Sequence, residues 1–91
     1  MARKVTVAVL SKIKIWEGLR LTPYLDSAGV PTDGYGNTHG VVMGKDITKT
    51  KADSDLKVNI SIAESAVERL VKVSLTNNQF GALVSFVFNV G

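Results

Sequence analysis

The chain has 91 residues, 45% hydrophobic and 21% charged, which is material for one small ordered domain and not for a disordered tail. Its net charge of +3 gives a mild pull toward polyanions such as nucleic acid, anionic headgroups or bacterial envelope polymers, though an ordinary lysine-rich surface would carry the same charge. The lack of cysteine excludes disulfides and thiolate zinc sites, and a single histidine argues against a histidine metal centre.

The opening "MARKVTVAVL" imitates the basic start of a signal sequence. Its apolar run, Val5 to Leu10 with Thr6 inside it, is too short for a membrane span, and it reads as the start of the first helix. Residues 7–17 set Val9, Ile13 and Trp16 on one helical face with Leu10 beside them. Thr6 is the expected N-cap and Gly18 the stop. Trp16 is read as core.

From residue 19 to 44 the helical period is lost, and glycine and proline alternate with aromatic and β-branched residues. This predicts a short, irregular antiparallel sheet with tight turns. "DSAG" makes one of them, with Asp26 first and Gly29 fourth. His39 is expected to serve a turn and not a metal. Arg20 could pair with a carboxylate or lie on the surface.

The helical period returns from Thr48, where Ala52, Leu56, Ile60, Ala63, Val67 and Leu70 form one apolar stripe. The opposite face carries Asp53 with Lys57 and Glu64 with Arg69, read as a solvated surface. Thr76 and Gln79 then fit a capping box. The following "FGALVSFVFNV" is apolar nearly all round, which predicts a helix buried on every side. Phe80, Phe86 and Phe88 are assigned to the core, and Asn89 to capping a neighbouring backbone group.

Glu17 and Asp26 stand nine residues apart, and Thr32 follows six later. Glycoside cleavage requires a proton donor for the leaving oxygen and a second group for the far face of the sugar. Glu17, closing a helix after Trp16, has the setting for a partly buried acid, while Asp26 at a glycine turn should be wetter and ionised. Thr32 would lie near Asp26 across a hairpin and could hold a water. Spacing alone leaves open that all three are surface residues.

Two motifs add to this reading. "EGLRL", followed by Asp26 after "PY" and then "GVPTDGYGNT", resembles the phage-type lysozymes, or endolysins, of the glycoside hydrolase family 24 type. "LTNNQFGALVSFVFNVG" is similar to a later helix of the same family. The resemblance runs from about Ile13 to Gly91. It implies an α+β, lysozyme-like fold: an N-terminal helix, a small irregular antiparallel sheet, a long helix and a buried helix. The expected layout is one incomplete domain over 1–91, with a β-subdomain at about 19–47 and a helical part at about 6–18 and 48–91.

By the same resemblance, Glu17 is the general acid, and Asp26 and Thr32 position or activate the attacking water. Glu17 and Asp26 would share a groove at the inverting separation of ~6.5–9.5 Å. The substrate would be the β-1,4 bond between N-acetylmuramic acid and N-acetylglucosamine in peptidoglycan, with no cofactor, metal, nucleic acid or stable membrane insertion involved. The protein would wait in the host cytoplasm for a holin-type pore. A catalytically inactive wall-binding or regulatory remnant is the alternative.

Two departures from the family pattern matter. Asp33 follows Thr32 where an apolar residue is usual. Buried, it would strain the small sheet, and exposed, it would add negative charge beside the site, so Asp33→Ile should stabilise if the side chain points into the sheet's core. Asn37 stands where many members have histidine and others asparagine, so it carries little weight. Family members also continue past "FNVG" with further helices, so the chain reads as C-terminally truncated, and alone it is expected to be inactive and either loosely folded or self-associated through its last helix.

Overall fold

The computed structural model describes residues 3–90. Three helices and a two-stranded antiparallel sheet follow in the order α1 (Val7–Glu17), β1 (Arg20–Leu25), β2 (Pro31–Gly34), α2 (Lys49–Leu70) and α3 (Asn77–Val90). This is the α+β arrangement that the sequence predicts. Met1, Ala2 and Gly91, which carry the ends of the basic opening and of the "FNVG" motif, lie outside the described residues. No described helix is long and apolar enough to cross a membrane.

Local chemistry sets the helix ends. Thr6 Oγ1 accepts from the Val9 N–H at the start of α1, and Gly18, with φ +70°, ends it in the left-handed conformation. Thr48 Oγ1 accepts from the Lys51 N–H at the start of α2. At α3 the expected capping box is complete: the Gln79 N–H donates to Thr76 Oγ1 and the Thr76 N–H to Gln79 Oε1.

The chain divides into two compact units, residues 1–13 with 58–91, and residues 14–57. The first buries Ile13, Ile60, Ala63, Val67, Phe80 and Val84. Gly81 allows α3 to approach α1 closely, since a Cβ there would lie 2.8 Å from Val9 Cγ2. Glu64 corrects the expectation of a solvated face for α2. It is 4% exposed, its Oε2 accepts from the Val5 N–H at 2.6 Å, and Lys4 lies 3.6 Å from Oε1. One turn later Glu68 accepts from the Arg3 N–H. Carboxylates at i and i+4 recur about every 6 Å along a helix. Alternate N–H groups of an extended chain repeat at nearly that distance, so two acids can take two of them.

The second unit holds the sheet. Tyr24 pairs with Thr32 and Leu25 with Pro31, while Arg20 pairs with Gly34 across an irregularity between Arg20 and Tyr24. The "DSAG" turn forms as expected, with the Gly29 N–H donating to the Asp26 carbonyl and Gly29 at φ +79°. The Ile47 N–H donates to the Leu21 carbonyl, tying the approach to α2 onto β1. Ala52 and Leu56 of the α2 stripe are buried. Asp53 pairs with Lys49 at 3.0 Å and Lys14 at 3.3 Å, in place of the expected Lys57.

Several side chains assigned to the core are exposed. Trp16 is 67% and Phe86 65% exposed, Leu70 is also exposed, and Phe88 is half-buried, whereas Phe80 is core as expected. Each of the misassigned residues sits at or near a helix end or on the flank of α3 away from Phe80 and Val84. An apolar sequence there does not decide which flank another element will cover.

Candidate active site

All three predicted site residues lie in the unit formed by residues 14–57. Glu17 is the last residue of α1, so its side chain leaves the helix where Gly18 turns the chain away. The carboxyl is half-buried against Gly36, where a Cβ would stand 2.6 Å from Glu17 Oε1. Any other L-residue would press on the carboxyl, and φ +74° at Gly36 independently favours glycine. Burial raises the Glu17 pKa above its ordinary value of 4.5. This is the setting expected of a proton donor.

Asp26 sits at the first position of the turn between β1 and β2. Its Oδ1 accepts from the Ala28 N–H at 2.8 Å and the Val30 N–H at 2.9 Å. Oδ2 makes no hydrogen bond among the described residues. The Val30 carbonyl accepts both the Asp26 N–H at 3.0 Å and the Thr32 hydroxyl at 2.8 Å. One peptide group, that of Val30, therefore joins Asp26 to Thr32, as the hairpin reading anticipates. Thr32 is buried at 3% exposure, so its hydroxyl is withheld from bulk solvent. No hydrogen bond among the described residues links Glu17 to Asp26 or Thr32.

The loop after β2 closes tightly. Asp33 and Asn37 form an antiparallel bridge, each donating its N–H to the other's carbonyl, at 2.9 and 2.8 Å. Between their side chains, Asn37 Nδ2 donates to Asp33 Oδ1 at 3.0 Å and also to the His39 carbonyl at 2.9 Å. Asp33 is 1% exposed yet hydrogen-bonded, so the unpaired, straining carboxylate expected from the sequence is not what this position holds. His39 is exposed and serves the turn through its backbone, as expected. The Arg20 guanidinium lies over the Tyr24 ring at 4.3 Å from its centre, not on a carboxylate.

Sequence reasoning missed Gly36 and undervalued Asn37. The available signal was the Gly-Tyr-Gly between two polar residues four apart, a spacing that lets their backbones pair around a loop needing positive φ. Among the described residues no three acidic or histidine side chains gather as metal donors would.

Residues 14–91 match the protein family described as phage lysozyme. The endolysin of Salmonella phage P22 is 40% identical over 87 residues, covering 90% of this chain and 60% of that protein. Two solved structures superpose with a TM-score of 0.89 and 39% identity. The endolysin from Escherichia coli O157:H7 phage FAHEc1 covers all of this chain, and the muramidase domain of SpmX from Asticaccaulis excentricus covers 98%. In all three comparisons the chain spans 60% of the other protein's length.

Proposed function

Because this chain belongs to the phage lysozyme family, we propose that it is the catalytic part of an endolysin that hydrolyses the β-1,4 bond between N-acetylmuramic acid and N-acetylglucosamine in peptidoglycan. The observation that carries the reading is the half-buried Glu17 carboxyl, seated against Gly36 and biased by burial toward its protonated form. Glu17 gives its proton to the glycosidic oxygen as the carbon–oxygen bond breaks. A water attacks the anomeric carbon and loses a proton to Asp26, whose Oδ2 is not committed to the turn. Thr32 steadies Asp26 through Val30. Because its hydroxyl proton is given to the Val30 carbonyl, its oxygen keeps acceptor capacity for one ordered water.

The net charge of +3 suits an anionic wall polymer. On the same reading the protein stays on the cytoplasmic side until a holin-type pore opens, which is checked by asking whether lysis waits for membrane permeabilisation. The exposed Phe86 and Val90 of α3 support self-association of the chain on its own.

The test combines a turbidity assay on purified walls with sedimentation of the protein on the same walls. Glu17→Gln should lower clearing by about 100- to 10,000-fold while sedimentation is retained. Lysis at an unchanged rate would remove Glu17 as the acid. Wall binding without clearing by the unmodified protein would favour the inactive remnant instead. If the two carboxyls act at the inverting separation, the first product seen by NMR is the α-anomer.

A further inference from the structure

The three residues enclosed by the Asp33–Asn37 bridge each meet a different partner. Gly34 lies against α2, where a Cβ would stand 3.3 Å from Ala52 Cβ. Tyr35 is buried, with Lys14 Nζ 5.6 Å from its ring centre. Gly36 meets the Glu17 carboxyl. The loop has two glycines at positive φ, +56° and +74°, and so has little conformational preference of its own. What closes it is the double backbone bridge and the buried Asn37 amide, which spans Asp33 Oδ1 and the His39 carbonyl.

We propose that Asp33 and Asn37 are positioning residues for Glu17: their paired side chains fix the loop that holds the Gly36 backbone against the Glu17 carboxyl. Neither touches the reacting atoms. The inference deepens the function proposed above and rests on it for its catalytic meaning. The physical reason lies in distance. A carboxyl seated this closely on a backbone loses its hydration on that side, and a loop that moved away would readmit water.

The charged groups around Glu17 leave burial as the influence to be changed. Lys14, one turn back on α1, is held by Asp53 at 3.3 Å. Arg20 of β1 lies on the Tyr24 ring. Asp33 is held by Asn37. No ion pair reaches Glu17 among the described residues. The raised Glu17 pKa, caused by desolvation, is consistent with this seat.

The experiment is a carbon-13 NMR titration of the Glu17 carboxyl in the full chain, with wall cleavage measured in parallel. In the unmodified protein the midpoint should lie above 4.5. Asn37→Ala removes the amide and should bring the midpoint back toward 4.5, with kcat falling more than wall affinity. Asp33→Asn keeps an oxygen that can accept from Asn37 and should leave the midpoint near its original place. If Asn37→Ala fails to fold, Gly36→Ala displaces the carboxyl directly and should move the midpoint the same way. A folded Asn37→Ala or Gly36→Ala protein with an unmoved midpoint would overturn the proposal, as would Asp33→Asn shifting it as far as Asn37→Ala. Because the titration reads Glu17 whether or not it is catalytic, persistent lysis by Glu17→Gln would sink the proposed function and leave this result standing.

Discussion

Glu17 and Asp33 are both acids within a turn or two of glycine, and their surroundings drive them in different directions. A carboxyl whose pKa is raised in the folded state binds its proton more tightly folded than unfolded. Its contribution to stability is therefore full below 4.5 and is lost as pH rises through the folded-state value, above which the ionised Glu17 works against folding. Glu17→Gln should raise the melting temperature at pH values above the folded-state midpoint, and the gain should disappear below 4.5. A gain that is constant with pH would point to packing and not to desolvation. Asp33 behaves otherwise because Asn37 satisfies it. Asp33→Ile would strand the buried amide, and we expect a loss of about 1–3 kcal/mol in chemical denaturation, the reverse of what the sequence suggested. Asp26 and Thr32 were legible as a pair because a turn beginning at Asp26 brings its two strands together within six residues. The seat of Glu17 was not, because Gly36 lies nineteen residues on.

At the scale of elements, capping decides where helices begin and packing decides which face they bury. Thr6, Thr48 and Thr76 cap through contacts three residues away, and of these Thr6 and Thr76 are the caps named from the sequence. The α2 stripe is buried from Ala52 to Val67, and only its last member, Leu70, is exposed. Gly81 shows the limit of such local reading. By helix propensity alone, Gly81→Ala should gain about 1 kcal/mol. The new methyl would meet Val9 Cγ2 at 2.8 Å, and Val9 is β-branched and stiff, so overpacking of about 1–3 kcal/mol should win. We expect a net loss of up to about 2 kcal/mol by thermal or urea melting. In a Val9→Ala background the same substitution should become stabilising.

At the scale of the whole molecule, apolar side chains on the surface become the main question. Phe86 and Val90 of α3 are exposed, as are Leu70 and Val73 just before it. Burying a side chain of this size is worth ~1.5–3 kcal/mol, so several together rival the stability of a small domain. Light scattering of the 91-residue chain alone should therefore show a mass that rises with concentration, and Phe86→Ser should reduce that rise. A monomeric mass at every concentration would show that these side chains are tolerated in water.

The sequence by itself determined what depends on neighbours along the chain: the three helices with the caps of the first and last, the α2 stripe, the Asp26–Gly29 turn, and the motif carrying Glu17, Asp26 and Thr32. The helices, stripe and turn rest on spacings of three or four residues, across which backbone geometry nearly fixes who meets whom. The motif spans nine residues from Glu17 to Asp26 and was legible by its family resemblance. Only the tertiary structure decided that Gly36 seats Glu17, that Asn37 satisfies Asp33, that Glu64 is buried beneath the N-terminal segment, and that Trp16 and Phe86 face solvent. Those outcomes depend on which distant element arrives at a given face. Polarity and periodicity do not encode that choice, because an apolar flank and a paired carboxylate look the same along the chain whether or not a partner covers them.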